Sequence, residues 1–379
     1  MQSRDLIKFQ LPKNSLSDIM VLGVGGAGCN AVNYMHSQGI NNVVLAICNT
    51  DKQPLNHSNV PIKIQLGDGG GAGNNPDKAR RAAIESLDEI TDTLKREGTK
   101  MLFLAAGMGG GTGTGASAVI AKAAKDMGIL TVGIVSLPTV DEGPKRVEQA
   151  KKGLDELRQK ADSLVIVHND NIAKMYGHLT FEEALNKADE ILAHAAKSIA
   201  ELVSLHYMVN VDMEDVRTVM LDSGLALMGS ARARGSNRIE ELVKQTLNSP
   251  LLNYRDIRGA KNILFNLSYG KNSKYIMSEH TQLLNLIQRS AGSNIDRGYS
   301  DIIWGAGSRE DLDDEIELTV IATGFDNEVI EMVKETTVPD TEPIKPEKTN
   351  ESIVSYIIRK GKEYIEKIDM TMERAEIPI

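Results

Sequence analysis

The run Gly107-Met108-Gly109-Gly110-Gly111-Thr112-Gly113-Thr114-Gly115 follows directly on the apolar stretch Met101 to Ala106 and directly precedes the helix-forming stretch Ala116 to Lys125. That order reads as strand, phosphate loop, helix. Successive glycines let backbone N–H groups turn inward as an anion-binding nest, and the following helix offers its positive N-terminal end. The hydroxyls of Thr112 and Thr114 add donors. A flexible linker has similar composition but is not flanked by a buried strand and an Ala-rich helix. Packing alone, on this reading, does not call for so much glycine.

A second glycine loop lies upstream. Ile19-Met20-Val21-Leu22 leads into Gly23-Val24-Gly25-Gly26-Ala27-Gly28, with a helix expected from near Asn30 that carries apolar Val32, Met35 and Ile40. This G-x-G-x-x-G, followed by the apolar run Val43 to Ile47 and then Asp51, is also what a dinucleotide-binding unit shows, so the segment alone favours a nicotinamide-dependent enzyme. A third glycine stretch, Gly67-Asp68-Gly69-Gly70-Gly71-Ala72-Gly73-Asn74-Asn75, shifts the balance. Three loops converging at strand ends suit a triphosphate better than a single pyrophosphate. The chain has no G-x-x-x-x-G-K-[ST], so main-chain donors rather than a P-loop lysine hold the phosphates.

Apolar runs alternate with amphipathic helices up to about Val167. The runs Val43 to Ile47, Leu102 to Ala106, Leu130 to Val135 and Leu164 to Val167 read as buried parallel strands. The expected fold class is therefore α/β, a doubly wound parallel sheet with ligand at the C-terminal strand ends. A long helix is expected from about Phe181 to Leu205, with Ala184, Ile191, Ala195 and Leu202 on its apolar face. Strand candidates Ile263 to Leu267 and Glu317 to Thr323 follow. Thr336 to Glu351, rich in Pro, Thr, Glu and Lys, has the composition of a disordered linker.

With 379 residues and 41% hydrophobic content, the chain can bury two ordinary cores and leave a tail. The net charge of -9 argues against sequence-independent nucleic-acid binding, which calls for a basic excess. No apolar run approaches a membrane-spanning length, and Met1-Gln2-Ser3-Arg4-Asp5 lacks the apolar core of a signal peptide, so membrane contact is expected to be indirect. Two cysteines, Cys29 and Cys48, cannot form a disulfide framework, and a reduced compartment is the economical reading. Cys29 is either a thiol activated at a helix N-terminus or a small residue fitting a tight loop. The seven histidines are dispersed, without metal-ligand spacing, so no protein metal site is expected. Trp304, Met220 and Met228 read as packing.

Taken together, the motifs resemble the tubulin/FtsZ superfamily, on the side of its bacterial cell-division branch. The resemblance rests on Gly109 to Gly115, on Val24-Gly25-Gly26-Ala27-Gly28-Cys29-Asn30-Ala31-Val32, on Asn210-Val211-Asp212-Met213-Glu214-Asp215-Val216, and on Ser249-Pro250-Leu251-Leu252, Gly259-Ala260-Lys261 and Asp314 to Phe325. It covers roughly Ser17 to Phe325. It implies a GTP-binding domain over residues 17–180, a central helix over 181–206, a smaller α/β domain carrying a catalytic loop over 207–326, and a flexible linker and tail over 327–379. It also implies a cytoplasmic GTPase that binds GTP or GDP with Mg²⁺ through the nucleotide phosphates, polymerises head-to-tail with itself, and scaffolds the mid-cell division ring.

Residue by residue, the resemblance assigns the phosphates to Gly25, Gly26, Ala27, Gly28, Cys29 and Asn30, to Gly71, Ala72 and Gly73, and to Gly109, Gly110, Gly111, Thr112, Gly113 and Thr114. It assigns the ribose hydroxyls to Glu142, a place beside the nucleotide to Arg146, and guanine to Asp189. On the residues alone, Asp189 is a solvated helix acid and Glu142 with Arg146 an i,i+4 pair near a helix start. Leu185 stands where the family carries a phenylalanine against the base, which implies weaker stacking. Leu137 to Asp141 lacks the family's paired phenylalanines, and the third glycine loop is short.

Asn210, Asp212 and Asp215 form the catalytic candidate. By spacing, two carboxylates at i and i+3 cap a helix and complement its dipole. By resemblance they enter the neighbouring subunit's nucleotide pocket and orient the attacking water. The chain stops at Ala375-Glu376-Ile377-Pro378-Ile379, the first residues of a peptide that in the family recruits membrane-tethering partners. Ile353 to Ile358 is either a docking segment or a β-prone stretch without a partner. Two other functions stay open: a GTP-binding filament protein with little hydrolysis, and a dinucleotide-dependent enzyme.

Overall fold

The computed structural model describes residues 17–40, 43–204, 208–249, 257–292 and 300–325. The motif from Pro250 to Leu252, the linker and the two tail segments discussed above lie outside the described residues, as do Leu205 and His206.

Residues whose side chains are apolar without alternation cannot sit on a half-solvated sheet, and the strands they form are covered on both faces. The chain runs β1 (Ile19–Val24), α1 (Gly25–Ser37), β2 (Val44–Asn49), α2 (Lys52–His57), β3 (Ile62–Gln65), α3 (Pro76–Glu85), α4 (Leu87–Arg96), β4 (Met101–Gly107), α5 (Thr112–Asp126), β5 (Leu130–Leu137), α6 (Pro144–Arg158), β6 (Ser163–His168), α7 (Asn169–Tyr176) and α8 (Phe181–Ser204). It continues through α9 (Met213–Met220), β7 (Gly224–Ala233), α10 (Arg238–Leu247), β8 (Asn262–Gly270), α11 (Met277–Ser290), β9 (Asp301–Arg309) and β10 (Ile316–Thr323). The strands form one ten-stranded sheet in the order β3-β2-β1-β4-β5-β6-β7-β10-β8-β9.

Pairing is parallel from β3 to β7, and β10 then lies antiparallel between β7 and β8. The second half of the fold is thus a mixed extension of the first, joined where Ser163 to Val165 of β6 pair with Gly224 to Ala226 of β7. Alternate residues of β4 feed the two cores. Leu102, Leu104 and Ala106 pack with Ile120 of α5 and Leu154 of α6 on one face. Met101 and Phe103 pack with Met35 of α1, Ile199 of α8 and Met220 of α9 on the other.

The 24-residue α8 opens on a capping box, Thr180 N donating to Glu183 and Glu183 N to the Thr180 hydroxyl. Its buried stripe includes Ile191, Ala195 and Leu202. At 1.5 Å per residue it is about 36 Å long, which is enough to run the depth of a domain.

Two helices begin earlier than the sequence suggests: α1 at Gly25 rather than near Asn30, and α5 at Thr112 rather than Ala116. The glycines expected to form loops instead build the first helical turns, because nothing on Cβ blocks close packing there. Packing does call for part of the glycine. A Cβ on Gly113 would stand 2.3 Å from the Gly107 carbonyl oxygen, and one on Gly115 2.0 Å from that of Pro76, so α5 lies hard against β4 and the start of α3. Ile40 packs on the core from beyond the end of α1. Met220 and Met228 are fully buried, and Trp304 is half-buried with its ring 4.3 Å from that of His280.

Candidate functional site

Strands β1 and β4 are neighbours, yet the chain leaves β1 towards β2 and β4 towards β5. Their C-terminal ends therefore open a crevice at the point where the strand order reverses, the usual ligand position in open α/β sheets. The order β3-β2-β1-β4-β5-β6 is also that of dinucleotide-binding folds, so topology alone does not separate the two readings.

Helix α1 brings its first turn to one wall. Gly26 and Asn30 are exposed and Ala27 half-buried, whereas Gly25, Gly28 and Cys29 face the core. Burial pushes the Cys29 thiol up to about 12, while Asn49 and the Cys48 backbone pull the other way. This removes the activated-thiol reading: Cys29 is a small buried residue.

The second loop, after β4, forms the other wall. Here the two threonines divide. Thr114 is buried and its hydroxyl oxygen accepts from Gly109 N at 2.9 Å, which staples the loop to α5 and takes Gly109 N–H out of the donor set. Thr112 is half-buried, with its hydroxyl 2.7 Å from that of Thr50. A Cβ on Gly26 or Gly110 would meet nothing within 4 Å, so both glycines open onto free space. A cradle with open glycines at two helix N-termini, whose first-turn N–H groups have no intrahelical acceptor, fits a polyphosphate.

The third loop closes against the second. Gly71 N donates to Thr50 O at 2.9 Å, and a Cβ on Gly111 would come within 2.7 Å of Ala72 Cβ. Gln149 of α6 donates to Asn74 O and Lys78 to Gly71 O, while Gly73 stays exposed. Thr50 and Gln149 hold these loops together, and their roles, like the capping role of Asn75 at the end of the third stretch, escaped the sequence reading. For Asn75 a signal existed, an N-cap residue followed by proline at the first helical position, and its carboxamide does cap α3. For Thr50 and Gln149 there was none.

At the rim, Glu142 and Arg146 pair at 2.9 Å, and the other Glu142 oxygen accepts from Thr139 N. The backbone and Cγ of Arg146 crowd Gly109, so the pair sits beside the second loop. Asp51, the acid a dinucleotide ribose would need, instead accepts from Gln53 N and caps α2.

On α8, Asp189 lies beside the Asn30 side chain, which favours its charged form, so the candidate base reader meets the first loop's outer edge. Burial raises its pKa to about 6, against the lowering effect of Asn30. Leu185 lies on the same helix, but its side chain is outside what is described.

Asn210, Asp212 and Asp215 stand apart from this group. Asp212 and Asp215 form a reciprocal capping box at the start of α9, each accepting from the other's N–H at 2.9 Å. Asp212 is exposed and Asp215 half-buried. No described hydrogen bond or ion pair connects either carboxylate to the glycine loops. Among the described residues, no group of three or more His, Cys, Asp or Glu side chains forms a metal cage, and no helix is long and apolar enough to cross a membrane.

A parallel sheet with three glycine loops at its switch point, a long helix bearing an acid towards them and a mixed second half defines a tubulin-like GTPase fold. Residues 18–177 match the model of the Tubulin/FtsZ family GTPase domain, and residues 224–326 that of the FtsZ family C-terminal domain. The cell division protein FtsZ of Porphyromonas gingivalis is 39% identical over 327 residues, spanning 85% of this chain and 70% of its own. An empty FtsZ dimer of M. jannaschii superposes with a TM-score of 0.73 at 35% identity, over 81% of this chain and 88% of the other. CetZ2 from Haloferax volcanii, solved as a GTPγS-bound protofilament, shares the fold at 20% identity and a TM-score of 0.67, over 84% of this chain and 98% of its own. The chain belongs to the tubulin/FtsZ family.

Proposed function

We propose that this chain is an assembly-dependent GTPase whose head-to-tail filaments scaffold cell division, with each active site shared by two subunits. One observation carries the proposal. Asp189 lies in the first half of α8, while Asp212 and Asp215 come at the start of α9, beyond the C-terminal end of α8, and the fifteen steps from Asp189 to Ser204 alone span about 22 Å. A nucleotide held at the glycine loops is out of reach of its own chain's Asp212 and within reach of a neighbour's. Met208 and Val209, just before Asn210, are exposed apolar residues, 85% and 36% accessible, as an interface requires.

Guanine presents two adjacent donors on its Watson–Crick edge. The Asp189 carboxylate accepts both, and a base with an acceptor there leaves buried polar groups unpaired. Gly26, Ala27, Gly110, Gly111, Thr112 and Gly73 offer main-chain donors to the phosphates, Glu142 takes the ribose hydroxyls, and Arg146 flanks them. Mg²⁺ bound with the nucleotide would supply charge neutralisation at the phosphates that these backbone amides cradle. The incoming Asp212 and Asp215 then orient and polarise the attacking water, with Asn210 beside them. A contact of this kind is heterologous and does not close, so it propagates. Hydrolysis loosens it by removing the γ-phosphate that it touches.

The division role comes from the P. gingivalis relative's name. We place the filament in the cytoplasm at mid-cell, tethered through tail-binding partners, and the net charge of -9 opposes nucleic acid as a ligand. Asp212 and Asp215 oppose a filament protein that scarcely hydrolyses GTP, and the capping role of Asp51 opposes a dinucleotide enzyme. The test is Asp212→Ala and Asp215→Ala: monomer GTP binding is expected to persist and turnover to vanish. Full turnover in both variants sinks the shared site.

A further inference from the structure

The loop that carries Asn210 and Asp212 is held by one strand, β9, at two adjacent residues, Ala306 and Gly305. Val209 N donates to Ala306 O at 3.1 Å and Ala306 N to Val209 O at 3.0 Å, an isolated antiparallel bridge on the edge of the sheet. One residue earlier in β9, a Cβ on Gly305 would lie 3.1 Å from Val211 Cγ2 and 3.2 Å from Val209 O, so buried Val211 seats in the space that glycine leaves.

Three residues beyond Ala306, Arg309 reaches carboxylates on separate elements: Glu201 of α8 at 3.9 Å, Asp311 at 2.6 Å and Glu317 of β10. The second Glu317 oxygen is held by Arg232 of β7 at 2.9 Å. At this level α8 does not close on the sheet through apolar packing. A polar cavity of about 60 Å³ separates them, lined by His194, Ser198 and Glu201 from the helix and by Arg309, Glu317 and Thr319 from the sheet. Across this cavity one ion pair, Arg309–Glu201, joins β9 to the last turn of α8, beside the apolar contact of Ile303 with the cluster that holds Ile199 and Leu202.

We infer that β9 is a splint that fixes the Asn210–Asp212 loop relative to α8, with Gly305 and Arg309 as positioning residues for GTP hydrolysis. The inference rests on the shared-site reading. Neither residue touches the chain's own glycine loops in any described contact, so their loss acts on the geometry offered to a neighbour and spares the nucleotide pocket. Reactions that depend on a positioned group lose rate steeply when it shifts by an ångström.

The test compares Gly305→Val, Arg309→Ala, Arg309→Lys and Asp212→Ala. The readouts are thermal unfolding, monomer GTP affinity, the protein pelleted with a slowly hydrolysed GTP analogue, and kcat and KM per pelleted subunit. Gly305→Val is expected to lower kcat by at least about tenfold with KM and monomer affinity within about twofold. Arg309→Ala is expected to move in the same direction, and Arg309→Lys, which keeps the charge without the planar fork, to recover part of the loss. Parental kcat per pelleted subunit in Gly305→Val and Arg309→Ala, with Asp212→Ala inactive, overturns the splint alone. Full activity in Asp212→Ala overturns the reading beneath it. Should Gly305→Val not fold, the Arg309 pair decides: Arg309→Ala with parental kcat overturns the inference.

Discussion

In the proposed base-reading role Asp189 must be charged to accept guanine's two donors, yet burial holds its pKa near 6, above the ordinary 3.8. The sign follows directly. With a raised folded pKa, this group favours the free folded protein below pH 3.8, and that contribution is lost as pH rises through about 6. Bound guanine favours the carboxylate and lowers the pKa, so GTP binding is expected to weaken as pH falls through about 6 and to release a proton near that pH. Calorimetry in buffers of different ionisation enthalpy at pH 6 and pH 8 checks this, with release at the lower pH only. Asp189→Asn should abolish the release and weaken binding by about 2 kcal/mol, the scale of a hydrogen bond to a charged group. Unchanged proton release in that variant contradicts the base-reading role. Asp212→Ala carries a second expectation, loss of a helix cap at about 1 kcal/mol, visible as a small fall in unfolding temperature separate from its effect on turnover. These residues show where sequence reading is strong and weak. Asp189 is an ordinary helix acid by spacing, because nothing local reveals that α1 will bring Asn30 to it. Asp212 is a cap by spacing and is a cap in the structure, and the catalytic part proposed for it depends on a second molecule.

Among the elements, the glycine-rich helix starts were the least legible. Gly113 read as a phosphate ligand and Gly115 as the end of the phosphate loop, but the space their missing Cβ atoms leave is filled by the carbonyls of Gly107 and Pro76. Gly115→Ala is expected to destabilise the fold by about 1–3 kcal/mol through overpacking of α5 on α3, measurable by denaturant unfolding. A neutral result contradicts this packing role. By contrast β1, β2, β4, β5 and β6 were plain in the sequence, since strands covered on both faces must be apolar throughout. Strands β7 and β9 were not marked out. Their glycines, serines and arginines break the apolar run, and the structure uses them for what a run cannot show: Gly305 seats Val211, Arg232 and Arg309 hold Glu317.

Across the whole molecule, one continuous sheet carries the nucleotide crevice in its parallel part and supports the Asp212 loop from its mixed part, with α8 between them. Sequence alone gave the crevice through its three glycine stretches, whereas the distance between crevice and loop required the fold. On the proposed shared site, a lone subunit is an incomplete enzyme and activity is a property of the assembly. The most direct measurement is phosphate release from GTP with Mg²⁺ as protein concentration rises, with light scattering followed in the same samples. Specific activity is expected to be near zero at low concentration and to climb above a threshold together with scattering. Specific activity that is constant across concentrations, with full turnover where no scattering develops, contradicts a site completed by a neighbouring subunit.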